Sequence, residues 1–338
     1  AQADFRGTTE FGLTPGQLYL TASFQANDLR GIKLWENDLS NWSLAGQDLT
    51  DAVFLRSSLA DTDFNQAIIT GARLNDVTSR GFTPGQLYST ASYQAQNLRR
   101  IELASNDLQQ WDFSQQDLTG CNLFRSNIAG ADFTEAVILG CPLGTGLTRE
   151  PLYSPASYQS GNLKGVSFSA NDLSGWDLSE QDLSGVRLER SSLAGTTLTG
   201  AMIRGADLGY TGLTREQFYS TKNYQAKDLR GVRLSGNDLA GWDLQGQNLE
   251  NANLVLANLT DTNLTGADIS GADFALTTLN GLTDEQFYST ANYQAGHLRG
   301  VSLRGNDLSH WNFKAQDLTG ANLSDATLTN ADFTDAVI

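Results

Sequence analysis

A large apolar residue recurs at every fifth position along most of the chain. The first run is made by Leu29, Leu34, Leu39, Leu44, Leu49, Phe54, Leu59, Phe64, Ile69 and Leu74. Further runs extend from Leu98 to Leu143, Leu163 to Leu208, Leu229 to Leu279 and Leu298 to Ile338. A period of five fits neither the 3.6-residue period of a helix nor the two-residue period of a strand. It predicts a coil in which each five-residue step forms one side and turns one corner.

Two further columns accompany the apolar one. The residue two positions earlier is usually small, as at Ala52 and Ala131. The residue one position earlier is often Asp or Asn, which suit tight turns because they bond to nearby backbone. Gly266-Ala267-Asp268-Ile269 shows the whole pattern. Four such steps would close a square turn, and successive turns would stack through parallel backbone hydrogen bonds, which predicts an all-β solenoid.

These motifs resemble the A(D/N)LXX repeat of the pentapeptide repeat family. The resemblance covers nearly the whole chain. It implies a right-handed quadrilateral parallel β-helix in which the apolar and small residues point inward. The handedness comes from the resemblance alone, whereas the square coil follows from the period of five. The resemblance also favours a bacterial source.

A second, longer repeat lies on top of the first. The segment from Leu13 to Tyr19 recurs from Phe82, Leu147, Leu213 and Leu282, at spacings of 69, 65, 66 and 69 residues. Each copy has a threonine that is suited to cap a short helix, namely Thr14, Thr83, Thr148, Thr214 and Thr283. A glutamine three residues later would complete a capping box in four copies, at Gln17, Gln86, Gln217 and Gln286. The third copy has Pro151 there, and since proline lacks an N–H group its helix should begin differently.

These repeats predict one solenoid over residues 1–338, built of five modules that each open with a short helix. The modules cover residues 1–81, 82–146, 147–212, 213–281 and 282–338. Phe24 keeps the phase of the run that follows it, so the first module should contain eleven sides and one helix, which makes three turns. The five short α-helical inserts should then recur on one side of the solenoid, about 14 Å apart at roughly 4.8 Å per turn. Leu279 adds one step, so either the next module is rotated or a loop absorbs the excess.

The first turn after each helix replaces the small column by Asn, Trp and Gln. The first trio is Asn37, Trp42 and Gln47, and the later tryptophans are Trp111, Trp176, Trp242 and Trp311. We interpret the tryptophans as packing residues beside the helix rather than as a row of ligand contacts, because large buried aromatics usually contribute packing energy. The Asn and Gln side chains should satisfy backbone groups that the helix leaves without partners.

Few residues offer chemistry. Cys121 and Cys141 lie 20 residues apart in the inward column, so their Cα atoms should be about 4.8 Å apart, within the range of a disulfide. Side chains that point the same way nevertheless favour two buried free thiols. His297 and His310 take turn positions that should face solvent. We therefore expect no catalytic residue, no metal site and no cofactor, and Gly144-Thr145-Gly146 lacks the spacing of a phosphate loop.

Charge and hydropathy restrict the partners. The chain has 38 acidic and 22 basic residues and a net charge of −16, which argues against direct binding to nucleic acid because phosphate contacts need Lys and Arg. No apolar run approaches the roughly 18 residues of a membrane-spanning helix, so we expect no membrane insertion. We favour an extracellular or cell-surface location over a cytoplasmic one. The pattern stops at Ile338 in mid-turn, which is consistent with truncation or with end-to-end self-association.

Two function hypotheses remain. The first is a non-enzymatic structural or interaction rod that binds an unknown protein partner through its outer faces. The alternative, which the resemblance suggests, is an acidic mimic of duplex DNA that binds DNA gyrase or topoisomerase and inhibits or protects it. A continuous acidic stripe would favour the mimic, and dispersed acids would favour the scaffold. A carbohydrate-binding face would require exposed helix tyrosines such as Tyr19 and Tyr88, whose place in the helix favours packing instead.

Overall fold

The computed structural model describes residues 3–149 and 153–338, in two compact units, Ala1–Ser167 and Phe168–Ile338. Each unit is a stack of turns with the period of five. The single solenoid and its five module boundaries stay predictions.

Successive turns are joined by isolated parallel β-bridges. Between regular turns, the residue before a core residue pairs with the residue 20 positions later, as Asp28 does with Asp48 and, in the second unit, Asp238 with Asn258. Over the described part of the chain each side contributes a single bridged residue rather than a longer strand. A return after 20 residues is what four five-residue sides require, so the bridges show the square coil that the period predicts.

Each corner is built by the residues around the core position. Core side chains such as Leu34 and Phe54 are fully buried. The Asp or Asn before the core residue accepts a hydrogen bond from the backbone two residues on, as Asp63 Oδ1 does from Asn65 N at 2.9 Å. The second corner residue has a positive φ, such as 58° at Asp51. Gly, Asn and Asp tolerate this left-handed conformation best, which explains their frequency at corners.

The four faces of the coil are numbered here, within each unit, from the side that follows a helical insert. The first two turns show the register. Face 1 contains Leu29 and Leu49, face 2 contains Leu34 and Phe54, face 3 contains Leu39 and Leu59, and face 4 contains Leu44 and Phe64.

Helical inserts interrupt this stack, and in four of them the described residues form a pair of short helices. The described helices are Pro15–Tyr19 with Ala22–Gln25, Pro84–Tyr88 with Ala91–Gln94, Ala156–Gln159, Arg215–Tyr219 with Lys222–Gln225, and Asp284–Tyr288 with Ala291–Gln294. Short 3₁₀ helices lie at Thr8–Phe11, Thr78–Arg80 and Thr278–Asn280. Capping boxes are present at Thr14, Thr83, Thr214 and Thr283, as predicted. The expectation about Pro151 lies outside the described residues.

The inserts take the place of faces 3 and 4 in every third turn. In the first unit, Leu59 N donates to Arg80 O and Gln66 N donates to Ser89 O, at 2.8 and 2.9 Å. In the second unit, Leu259 N donates to Asn280 O and Gly266 N to Ser289 O, both at 2.8 Å. The 3₁₀ segment and the first helix therefore supply the neighbour that a regular side would supply.

The expected count of sides needs correction. Ten regular sides run from Leu29 to Leu74, and the insert replaces two sides rather than one. Phe24 lies in the second helix of an insert, where it is half-buried. Leu279 lies in the 3₁₀ helix Thr278–Asn280 with 75% of its surface exposed. It is not a core residue, and the 3₁₀ helix absorbs the extra residues as Thr78–Arg80 does in the first module.

Insert junctions and candidate interaction faces

The asparagine of four of the trios bridges the point where the chain leaves the coil. Asn106 is buried, and its Oδ1 accepts hydrogen bonds from Val77 N at 2.8 Å and Thr78 N at 3.0 Å. Its Nδ2 donates to Leu74 O at 2.7 Å. Corresponding bonds are made by Asn37, Asn237 and Asn306. These side chains thus satisfy backbone groups that lose their neighbours at the insert.

A pair of tyrosines in ring contact replaces the missing backbone of face 4. Tyr88 and Tyr93 lie with ring centroids 4.6 Å apart. The Tyr88 hydroxyl accepts a hydrogen bond from Asp112 N at 2.6 Å, and the Tyr93 hydroxyl donates to Asp112 O at 3.0 Å. Equivalent pairs hold residues 243 and 312, through Tyr219 with Tyr224 and Tyr288 with Tyr293. The hydroxyls are therefore used within the fold, and the rings are half-buried, which argues against a carbohydrate-binding face.

The setting of these tyrosines also disfavours their ionisation. Burial, together with the nearby Tyr288 and Asp284, raises the pKa of Tyr293 to about 12. Burial likewise raises the pKa of Tyr93. Both hydroxyls therefore keep their proton at neutral pH and can act as donors to the backbone.

The first module lacks one of these bonds, and this leads to a prediction. Tyr19 accepts from Ser43 N, but Phe24 stands where the other pairs have a second tyrosine. Phe24→Tyr should add a hydrogen bond to Ser43 O and raise the free energy of unfolding by about 1 kcal/mol. Tyr93→Phe should lower it by a similar amount. Thermal unfolding of both variants measures the effects, and two unchanged melting temperatures would contradict this role.

The tryptophans pack against the inserts from the next turn. All five repeated tryptophans are buried, with 4–6% of their surface exposed. The ring of Trp242 lies 5.3 Å from that of Phe218 and 6.0 Å from that of Tyr219, centroid to centroid. Beside it, Gln247 Nε2 donates to Tyr224 O at 3.1 Å. The Oε1 atoms of Gln47, Gln116, Gln247 and Gln316 are buried without a hydrogen-bond partner.

The cysteines differ from the expectation of free thiols. Cys121 and Cys141 form a disulfide, with their Cα atoms 4.7 Å apart. Because neighbouring turns stack in register, the two side chains lie directly over one another, and this brings the sulfur atoms together. Side chains that point the same way are thus no obstacle to the bond.

Acidic side chains without ion pairs are concentrated on faces 3 and 4. In the first unit they are Asp38, Asp61, Asp63, Asp107, Asp112, Asp132 and Glu135, all of which are exposed. In the second unit they include Asp172, Glu180, Asp238, Asp243, Asp261, Asp307, Asp332 and Asp335, also exposed. Within the described residues, none of them lies in an ion pair with Lys or Arg. Among the residues that the structure describes, Lys314 is the only Lys or Arg on the regular sides of these two faces.

Faces 1 and 2, in contrast, carry both signs of charge in contact. Arg30 lies 2.7 Å from Asp28, Arg73 lies 3.1 Å from Glu102, and Arg299 contacts Asp317 at 2.5 Å. A surface groove of about 500 Å³ between these faces is lined by Lys33, Asp51, Arg73, Arg100 and Glu102, among others. Its arginines are paired, since Arg100 lies 3.2 Å from Asp51. The groove therefore lacks an unpaired arginine with which to hold an anion.

The paired carboxylates predict a loss of stability in acid. The Arg30 guanidinium holds the pKa of Asp28 down at about 2, and the hydroxyl and backbone N–H of Thr319, with Arg299, do the same for Asp317. An unfolded Asp has a pKa of about 3.9, so this stabilisation is present above pH 4 or so and is lost as the pH falls toward 2. Melting temperatures should therefore fall between about pH 5 and pH 2, less steeply in Asp317→Asn. A flat profile would contradict this account.

Other candidate sites are sparse. His297 and His310 are exposed. Over residues 3–149 and 153–338, no group of three or more His, Cys, Asp or Glu side chains is arranged to hold a metal ion. The same residues include no helix with the length and hydropathy to span a membrane.

Comparison with known proteins identifies the family. The profile of pentapeptide repeats matches the chain in eight copies, which together span residues 38–76, 97–138, 162–209, 228–281 and 297–335. These ranges cover more than half of the chain. The chain belongs to the pentapeptide repeat family. Membership in the pentapeptide repeat family implies the right-handed quadrilateral β-helix.

Solved pentapeptide repeat proteins are also similar to the chain. HetL of the cyanobacterium Nostoc sp. strain PCC 7120, involved in heterocyst differentiation regulation, is 23% identical, with 93% of this chain and 91% of HetL covered and a TM-score of 0.16. QnrB1, a plasmid-mediated fluoroquinolone resistance protein, is 17% identical, with 76% and 86% covered and a TM-score of 0.21. Because these TM-scores are low, the likeness carries no argument about function. No curated protein matches the chain.

Proposed function

We propose that this pentapeptide repeat protein is a non-enzymatic interaction scaffold that binds a protein partner with a basic surface. The observation that carries the proposal is the concentration of exposed, unpaired carboxylates on faces 3 and 4. Side chains fill the inside of the coil, so the outer faces are the surface on which a partner can bind. The proposal includes a single solenoid of five modules with the inserts on one side, which would repeat the acidic faces along its length.

Charge neutralisation on chosen faces tests this role. The triple variant Asp107→Asn, Asp112→Asn and Asp132→Asn removes three charges from faces 3 and 4. A matched variant, Asp28→Asn, Asp48→Asn and Asp117→Asn, removes three charges from face 1. A partner captured from extract of the producing cells should be lost by the first variant and kept by the second. Equal capture by both variants, or no partner even at low salt, would overturn the proposal.

A second candidate is the mimicry of duplex DNA, which the same segregation of acids favours. Against it, inserts interrupt faces 3 and 4 in every third turn, so the acids do not form one unbroken stripe. A supercoiling assay with purified DNA gyrase, titrated with the protein at controlled salt, separates the two. Inhibition of gyrase, or its protection from a drug, that weakens as salt is added would favour the mimic. No effect on supercoiling at micromolar concentrations would favour the interaction scaffold.

We also propose an extracellular or cell-surface location, which the Cys121–Cys141 disulfide supports because such bonds persist in oxidising compartments. Thiol titration of the denatured, unreduced protein should detect no free thiol, and two after reduction. Reduction should lower the free energy of unfolding by about 3 kcal/mol, as expected for a loop of this size. Cys121→Ser with Cys141→Ser should remove this sensitivity to reductant. Two free thiols before reduction would contradict both the bond and the proposed location.

A further inference from the structure

One corner of the unit Phe168–Ile338, between faces 2 and 3, exposes apolar side chains. The exposed fraction is 42% at Tyr210, 39% at Leu256 and 75% at Leu279. Leu256 N donates to Ala275 O at 3.0 Å, which places Leu276 directly after Leu256 in the next turn. Asn280 Nδ2 donates to Leu256 O at 3.1 Å and so holds the 3₁₀ helix with Leu279 beside the corner. We call Tyr210, Leu256, Leu276 and Leu279 the apolar corner.

The backbone gives no reason for these residue types. Tyr210, Leu256 and Leu276 have φ values of 54°, 60° and 59°, in the left-handed region that disfavours bulky side chains. Tyr210 and Leu256 are exposed and so contribute little to the core, and Leu276 is half-buried. Neither local conformation nor burial therefore accounts for the apolar corner.

The first module shows what the same corner tolerates. Its equivalent residues, 200 positions earlier, are Arg56, Asp76 and Ser79 in place of Leu256, Leu276 and Leu279. Arg56 lies 3.5 Å from Asp76 in an ion pair. A corner with similar φ values, 57° at Arg56 and 55° at Asp76, thus accommodates a charged pair, so folding does not require the leucines.

Unpaired acids border the apolar corner on the side of face 3. Asn258 follows Leu256 by two residues, and its Nδ2 donates to Asp238 Oδ1 at 2.8 Å. Asp261 is exposed at the next corner. Neither carboxylate forms an ion pair with a described Lys or Arg. A complementary ligand would place apolar side chains on the leucines and basic side chains beside Asp238 and Asp261.

We propose that the apolar corner docks a basic amphipathic segment of a partner protein. A second copy of this chain fits poorly, because each copy has a net charge of −16 and carries the same acidic border. This inference rests on the proposed scaffold function and assigns one contact of it to named residues.

A charge-neutral exchange between modules tests the inference. The double variant Leu256→Arg and Leu276→Asp copies the first module and keeps the net charge unchanged. The probe is a fluorescent amphipathic peptide of leucine and lysine, with binding followed by anisotropy. The variant should bind it at least about tenfold more weakly than the natural sequence. The reverse exchange, Arg56→Leu, Asp76→Leu and Ser79→Leu, keeps Asp38 and Asp61 as the border and should raise the stoichiometry from one to two.

Several outcomes would overturn the inference. Equal affinity of the double variant would mean that net charge alone attracts the peptide. If a peptide of leucine and glutamate binds as tightly as the leucine–lysine peptide, the acidic border does not contribute to binding. If the natural sequence forms concentration-dependent dimers and the double variant does not, the occupant is a second copy of the chain. If the natural sequence binds anionic vesicles and the double variant does not, the occupant is a lipid surface. A last outcome is that the peptide binds the natural sequence and the double variant equally while the variant of faces 3 and 4 still loses its partner. In that case the docking site at the apolar corner is wrong and the proposed scaffold function is kept.

Discussion

Replacing Trp242 by alanine is expected to lower the free energy of unfolding by about 3–5 kcal/mol. The ring is buried and packs against Phe218 and Tyr219 of the insert in the preceding turn, with ring centroids 5.3 and 6.0 Å away. Its removal opens a cavity where a regular turn meets a helix, and neither element can shift without breaking its hydrogen bonds to neighbouring turns. Denaturant titration measures the loss, and hydrogen exchange should show it centred on the helix Arg215–Tyr219.

Trp35 provides the matched control. It is the tryptophan outside the repeated set and lies half-buried at a corner, with the Arg6 guanidinium 4.2 Å from its ring centroid and its Nε1 donating to Asp4 at 3.2 Å. Trp35→Ala should lower the free energy of unfolding by less than about 1 kcal/mol. Similar losses in the two variants would mean that tryptophan contributes generally and that packing against the insert has no special weight.

The regular part of the fold could be predicted because every step repeats the same physical demand. One side chain in five is buried, so the period is visible in residues such as Leu34 and Leu39. The predicted number of regular sides was wrong because Phe24 and Leu279 share this phase while belonging to helices. Periodicity records where apolar residues stand in the sequence but not which backbone carries them. The replacement of two sides by one insert depended on hydrogen bonds between distant segments.

The candidate surface was less accessible from sequence. The acids are visible along the chain, but their segregation emerges only when the inserts fix which sides share a face. Asp63 and Asp112, for example, both belong to face 4, yet 49 residues separate them (112 − 63). The apolar corner was missed because Leu256 and Leu276 lie two residues after core positions and look like ordinary spacer residues. A comparison of the first and fourth modules, with Arg56 and Asp76 at the same places, would have revealed it.

Asn106→Leu is expected to lower the free energy of unfolding by about 3 kcal/mol or more, because it leaves several buried backbone groups unpaired at once. The natural side chain accepts from Val77 N and Thr78 N and donates to Leu74 O. Leucine keeps the branched outline of asparagine and is larger, so the loss does not arise from a cavity. Water cannot reach these groups without opening the junction. Hydrogen exchange of Val77 and Thr78 should therefore accelerate more than exchange elsewhere in the unit, and denaturant titration gives the total loss.

Asn122 separates this effect from the general contribution of asparagine. It stands on face 2 of the next turn, half-buried, and its Oδ1 accepts a single bond from Phe124 N at 3.0 Å. Asn122→Ala should lower the free energy of unfolding by about 1 kcal/mol, since Phe124 N can bond to water instead. A loss at Asn106 no larger than this would mean that the backbone at the insert is satisfied by other groups. A large loss of unfolding free energy at Asn106 alone would mean that this side chain joins the helical insert to the coil, at the point where the backbone hydrogen bonds between turns are interrupted.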